Sequence, residues 1–385
     1  MFRHYRLRDY NVILILLLIA LSSLGVLLVG SADHSLQSRQ LAGFLAGLAL
    51  MVVLSFIDYN WILHFHWPIY IINLGLLGLV IAYGVASHGA ERWINIAGLT
   101  FQPTELSKIL IILFFAAFFQ MHEANINDWS TILRAVALIG ISLVMIFAQP
   151  DLKNTITIAA VFCMMYFAAG LAYKRILVVL LVVIPLVGGS LYLITQTDLP
   201  IVDDYQKERV MTFLEPDNDE YSESAMQQDN SVMAIGSGQL TGKGLNNTKE
   251  SASKGNFIAE IQNDFIFAVA GEELGFAGTS TLLVLMFLII FMCMRTASQA
   301  RNLSGRIICT GMGSLIAIQS FINIGVASGL LPNTGTPLPF VSYGLTSLLS
   351  LYIGMGVVLN VGLQRKRKEE PDLYLEERLR DNATI

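Results

Sequence analysis

Charge is scarce in this chain. Only 14% of its 385 residues are Asp, Glu, Lys or Arg, 54% are hydrophobic, and the mean hydropathy is +0.61. That balance excludes a soluble globular domain: long apolar runs with few charges are transmembrane helices, each needing about 20 residues to span the hydrocarbon core. The net charge of −5 gives no reason to expect nucleic acid as a partner. Cysteine is rarer still. Cys163, Cys293 and Cys309 lie in or beside apolar runs without a pairing pattern, which excludes a disulfide framework and a cysteine metal site and leaves small core residues. Strand-like alternation is missing, which excludes a closed barrel. No internal repeat is evident, which weighs against an inverted-repeat transporter.

What is there is helix. The apolar runs predict an all-α polytopic membrane protein, one domain over 1–385, with ten transmembrane helices at approximately 10–30, 41–57, 68–87, 104–121, 131–148, 154–171, 174–195, 264–294, 305–329 and 339–363. The first run spans and lacks a small-residue cleavage site, so it reads as a retained helix. Orientation follows from the short loops. Arg3, Arg6, Arg8, Arg134, Lys174, Arg175, Arg295, Arg301, Arg306 and Arg365 to Lys368 fall on one side, against Arg39, Arg92 and Lys153 on the other. The positive-inside rule places both termini in the cytoplasm. The tail 364–385 opens on a basic tetrad that reads as an anchor on anionic lipid.

One large extracellular loop, 196–263, separates helices 7 and 8. It holds twelve acidic and five basic residues, a net charge of −7 where the whole chain has −5. It runs directly into Asp264, at the mouth of the eighth span. Two readings compete there. An Asp at a helix N-terminus is favoured by capping and the macrodipole; a carboxylate partly withdrawn from water also suits a general base. Glu272 and Glu273 follow roughly 12–13 Å further along the helix. Acidic groups at that depth are costly and point to function, or to pairing with a partner such as Lys108.

Three further groups stand out. Arg92 and Trp93 precede Gln102, Pro103, Thr104, Glu105 and Lys108, where proline and threonine suit a helix start and Glu105 and Lys108 share a face. Arg92 and Lys108 also carry the charge that meets a phosphate. Gln149, Pro150 and Asp151 form a turn at the outer end of the fifth span. Between the last two spans, 331–344 packs three prolines and two glycines into fourteen residues, a backbone tolerated at membrane depth only where it lines a cavity or is buried in protein. In the large loop a short apolar helix should end in the glycine-rich turn containing Gly238, Gly242 and Gly244, which lacks the spacing of a phosphate-binding loop. Lys243 there is available to an anion.

Taken in order, these groups resemble the SEDS family of bacterial cell-wall proteins. Arg92-Trp93-Ile94 with Gln102 to Glu105, Gln149 to Leu152, Asp264 to Gly275, and Asn333 to Gly344 are each similar to a block of that family, across essentially the whole chain. Lys153-Asn154, Leu345-Thr346 and the 259–263 lead-in depart from its common pattern. The resemblance implies polymerisation of lipid II into glycan strands at the outer face of the bacterial plasma membrane, beside a class B penicillin-binding protein. It implies Asp264 as the residue needed for polymerisation and Trp93, Glu105, Lys108 and Glu273 as motif positions, with Ser342 in the last block. Short tails favour the RodA branch and cell-wall elongation. Arg209 and Lys243 join Arg92, Lys108 and Asp151 as substrate-side candidates. No protein metal cluster has recognisable spacing; a divalent cation, Mg or Mn, is the one cofactor that the diphosphate would suit. A lipid II flippase and a scaffold activating the penicillin-binding protein are the alternatives.

Overall fold

The computed structural model describes residues 10–87, 90–96, 99–175, 222–246 and 261–365. Its helices are α1 (Val12–Ala32), α2 (His34–Ser55), α3 (Tyr59–His64), α4 (His66–Tyr83), α5 (Pro103–Met121), α6 (Trp129–Phe147), α7 (Leu152–Ala168), α8 (Ser222–Ser237), α9 (Ile266–Ser298), α10 (Leu303–Ala327) and α11 (Leu345–Leu363). All but α3, α7 and α8 are long and apolar enough to cross a membrane. With α7, an apolar helix of 17 residues, they account for nine expected spans; most of the remaining one, 176–195, lies outside the described residues.

Several boundaries follow from local chemistry. Asn11, Asp33, Asp151 and Asn302 each accept a backbone N–H of the first turn they precede, a cap worth about 1 kcal/mol. Pro103 opens α5, where its missing N–H costs nothing. The last span begins at Leu345 instead of 339, because the prolines of 331–344 cannot continue a helix and Phe340 sits at φ 63°.

The all-α expectation needs one correction. A three-stranded antiparallel sheet follows α4, in the order β1 (Val85–Ser87), β2 (Ala90–Ile96) and β3 (Leu99–Phe101), pairing Val85 with Trp93 and Ile94 with Phe101. Its β-branched and aromatic residues suit a pleated surface, and the segment is too short and polar to span.

Helix α10 is central, packed on α5, α7, α9 and α11. Around it the core is aromatic on one side, where Phe114, Phe115, Phe118 and Phe119 of α5 meet Tyr70, Phe162 and Tyr166. Val144, Phe276, Phe287 and Phe321 are exposed, as lipid-facing positions of a multi-pass protein should be. A polar clasp closes one end of the bundle. Tyr59 donates to Asn302 at 2.7 Å, Asn302 to Asn60 at 3.0 Å, Asn60 to Gln364 at 3.1 Å, and Gln364 to Asp58 at 2.9 Å. The sequence blocks meet at the opposite end.

Candidate functional site

Asp264 ends the turn 261–264, and α9 begins two residues later with Phe265 as its cap. The capping reading therefore fails: no side chain caps α9, and among the described residues the half-exposed Asp264 carboxylate has no hydrogen bond or ion pair. Its backbone, by contrast, is anchored. Asn323 of α10 donates its amide to the Asp264 carbonyl at 2.8 Å and to the Thr336 carbonyl at 2.7 Å. The Tyr343 N–H bonds the Gln262 carbonyl at 2.9 Å. The proline-rich segment and the turn before α9 are thus one unit, with the carboxylate left open.

The neighbouring blocks lock onto that unit. Asp151 is fully buried and takes hydrogen bonds from Asn154 at 2.8 Å, Thr104 at 3.4 Å and Gln102 at 3.5 Å, joining the starts of α5 and α7. The Gln102 N–H reaches Thr346 Oγ1 at 3.4 Å, tying α5 to α11. Lys153, one of the residues departing from the family pattern, donates to the Gly335 carbonyl beside Thr336. Ser342 accepts from the Leu338 N–H at 2.7 Å, and Gln40 of α2 donates to the Ser342 carbonyl at 3.1 Å. Ser342 and Asp151 are therefore structural knots of the site wall.

Glu105 and Lys108 pair at 2.8 Å with both side chains buried, as their spacing of three predicts. Trp93 is half-buried on β2; Arg92 lies on the same strand, its side chain outside the described residues, and Arg209 falls outside them altogether.

The acidic pair of α9 is spoken for, and not by Lys108. Helix α9 breaks at Gly275, whose φ of 64° and ψ of −164° are non-helical. The turn after α8 fills the break. Lys243 and Gly244 N–H groups donate to the Glu272 and Glu273 carbonyls at 2.9 and 3.0 Å, and Phe276 and Ala277 N–H groups donate to the Gln239 and Leu240 carbonyls at 2.8 and 3.0 Å. The approach requires glycine: a Cβ at Gly275 would collide with the Gly242 backbone, and both residues have positive φ. Lys243 Nζ bonds Glu272 at 2.9 Å, and Ser31 of α1 donates to Glu273. The glycine-rich turn is thus a helix splice, with its lysine committed to a buried carboxylate.

Sequence reading missed Asn323, the one side chain among the described residues that holds Asp264. An amide in the apolar run of α10 carries no charge to draw the eye; only its place among 25 otherwise largely apolar residues marks it. As for metal, among the described residues no three His, Cys, Asp or Glu side chains converge, so the residues described do not fit a protein-held metal centre.

The family described as Cell cycle protein, FTSW_RODA_SPOVE, matches residues 6–367. The peptidoglycan glycosyltransferase MrdB of Escherichia coli K12 is 34% identical over 359 residues, covering 92% of this chain and 93% of that protein. A probable peptidoglycan glycosyltransferase FtsW of Geobacter sulfurreducens is 32% identical over 371 residues, covering 93% and 96%. A chain solved in work on structural coordination of polymerization and crosslinking by a peptidoglycan synthase complex superposes with a TM-score of 0.76 at 28% identity, covering 92% and 97%.

Proposed function

Because the chain belongs to the FtsW, RodA and SpoVE family of cell cycle proteins, we infer that it polymerises lipid II on the outer face of the bacterial membrane, with Asp264 as the general base. It is a membrane-embedded peptidoglycan glycosyltransferase, as its relatives are named. The observation that carries the finer reading is the Asp264 carboxylate: half-exposed, without a partner among the described residues, and fixed through its backbone amid the four sequence blocks.

The chemistry asks for little more at that point. Asp264 takes the proton of an acceptor sugar hydroxyl as its oxygen bonds the anomeric carbon of the donor; the bond to the diphosphate breaks, and the diphosphate leaves with the electron pair. A positioned base contributes about 10²–10⁴-fold. Charge growing on the diphosphate calls for cations. Arg92 and Arg209 suit that task by sign and side. Lys108 and Lys243 would have to exchange their present carboxylate partners for it. A magnesium or manganese ion would supply the same charge stabilisation.

The partner in this reading is a class B penicillin-binding protein, in keeping with the synthase complex that the fold resembles. An elongation role follows from the resemblance to the RodA branch; the relatives, at 34% and 32% identity, divide between MrdB and FtsW. Restoration of rod shape to cells depleted of their own elongation enzyme tests that part.

The decisive experiment supplies purified protein with lipid II in detergent, with and without its partner, comparing wild type with Asp264→Asn. Polymer from the wild type alone is the expected result. Polymer from both sinks the general base; polymer from neither, in a folded complex, sinks the polymerase reading and turns attention to translocation of labelled lipid II across liposomes.

A further inference from the structure

Helix α10 carries buried polar atoms that no hydrogen bond among the described residues uses. Gln319 and Asn323 are each 1% exposed and stand four residues apart, on one face of the helix. The orientation of the Asn323 amide is fixed, because its nitrogen serves two carbonyls, those of Asp264 and Thr336. Its oxygen is therefore an acceptor, and among the described residues it meets no donor. Neither Oε1 nor Nε2 of Gln319 meets a partner there either. Three such atoms lie within one helical turn, about 6 Å, immediately inward of the Asp264 backbone. Buried polar groups are otherwise almost always bonded, so each exception asks for a reason.

The chemistry of these atoms defines what would satisfy them. An amide oxygen turned toward the ligand repels an anion, which argues against the diphosphate. Gln319 offers both a donor and an acceptor, and Asn323 adds an acceptor; a sugar hydroxyl or amide complements that set. We propose that Gln319 and Asn323 form a subsite for an uncharged hydrogen-bonding group of the lipid-linked sugar, holding the saccharide beside Asp264. The inference rests on the polymerase reading and deepens it: Asn323 sets the base through its backbone and, with Gln319, grips the sugar that the base acts on.

The test uses the full-length protein with its partner, lipid II as the probe, and Gln319→Met, which keeps length and removes both polar atoms. KM for lipid II should rise roughly tenfold or more with kcat less affected, since a hydrogen bond to substrate is lost. The melting temperature should stay level or rise, because no internal hydrogen bond disappears. An unchanged KM alongside wild-type polymer overturns the subsite, as does a marked fall in melting temperature, which would reveal partners for Gln319 inside the fold. A raised requirement for magnesium or manganese with lipid II affinity intact also overturns it, in favour of a cation on the two amide oxygens. Absence of polymer from the wild type overturns the polymerase reading and the subsite with it.

Discussion

Asn323 holds Asp264 by its backbone and not by its carboxylate. The 2.8 Å bond ends on the Asp264 carbonyl, while the side chain takes no hydrogen bond among the described residues. In the general-base reading, holding and reacting fall to different atoms of one residue, and the two can be separated by substitution.

Asp264→Asn should abolish polymerisation and leave the fold alone. Among the described residues the carboxylate bonds nothing, so the stability change should stay within about 0.5 kcal/mol. Asn323→Ala should do both kinds of harm. It strips two carbonyls of their donor, at about 1–3 kcal/mol for each one left buried and unpaired, and it frees the turn before α9. Melting temperature and polymer yield, measured on the same preparations, check the contrast.

For Glu105 and Lys108 the expected pattern is a strong coupling. Both are almost fully buried and bonded at 2.8 Å. Lys108→Met alone leaves a carboxylate without its cation, a loss of about 3–5 kcal/mol. The double replacement Glu105→Leu with Lys108→Met should recover most of that stability, since apolar isosteres of a buried pair are often neutral. If Lys108 serves the substrate, polymerisation stays lost in the double variant; its return would make the pair purely structural.

Gly275→Ala should damage the splice in α9. The new Cβ meets the Gly242 backbone and the residue is held at a φ of 64°, a conformation costing a non-glycine residue about 1–3 kcal/mol before the collision is counted. The melting temperature should fall, and limited proteolysis should cut segment 239–246 faster than in the wild type.

A pH effect is expected at the clasp end. Burial pushes the Tyr59 hydroxyl up to about 12 from its ordinary 10, partly offset by hydrogen bonds that include Asn60 and Asn302. With the folded-state value above the unfolded one, the protonated phenol contributes stability that is intact below pH 10 and lost as pH rises from 10 to 12. At 1.36 kcal/mol per unit the loss approaches about 3 kcal/mol. Tyr59→Phe should flatten that part of the stability curve, read as melting temperature against pH.

Much of this was legible in the sequence, for identifiable reasons. Continuous apolar runs mark the spans because lipid tolerates little else, and the three prolines of 331–344 announce irregular backbone. The Glu105–Lys108 pair follows from helical spacing. The break in α9 does not, because a glycine within an apolar run usually continues as helix; it becomes visible only once Gln239 and Leu240 arrive to take the freed N–H groups. Lys243 looked like a ligand for anions because its partner, Glu272, lies 29 residues away. Gln319 and Asn323 escaped notice because neutral amides leave charge patterning untouched.

The splice at Gly275 has a mechanical meaning. Four main-chain hydrogen bonds and the Lys243–Glu272 bridge fasten the turn after α8 into the break near the start of α9. Ser231 and Gln228 of α8 also grip the end of α10 at 2.8 and 2.9 Å. The first ten residues of α9, which begin just after Asp264, are therefore a short rod clamped at its far end by the turn after α8. Displacing α8 would have to carry that rod along or shear the clamp, so α8 and the turn that bears Asp264 move as one lever.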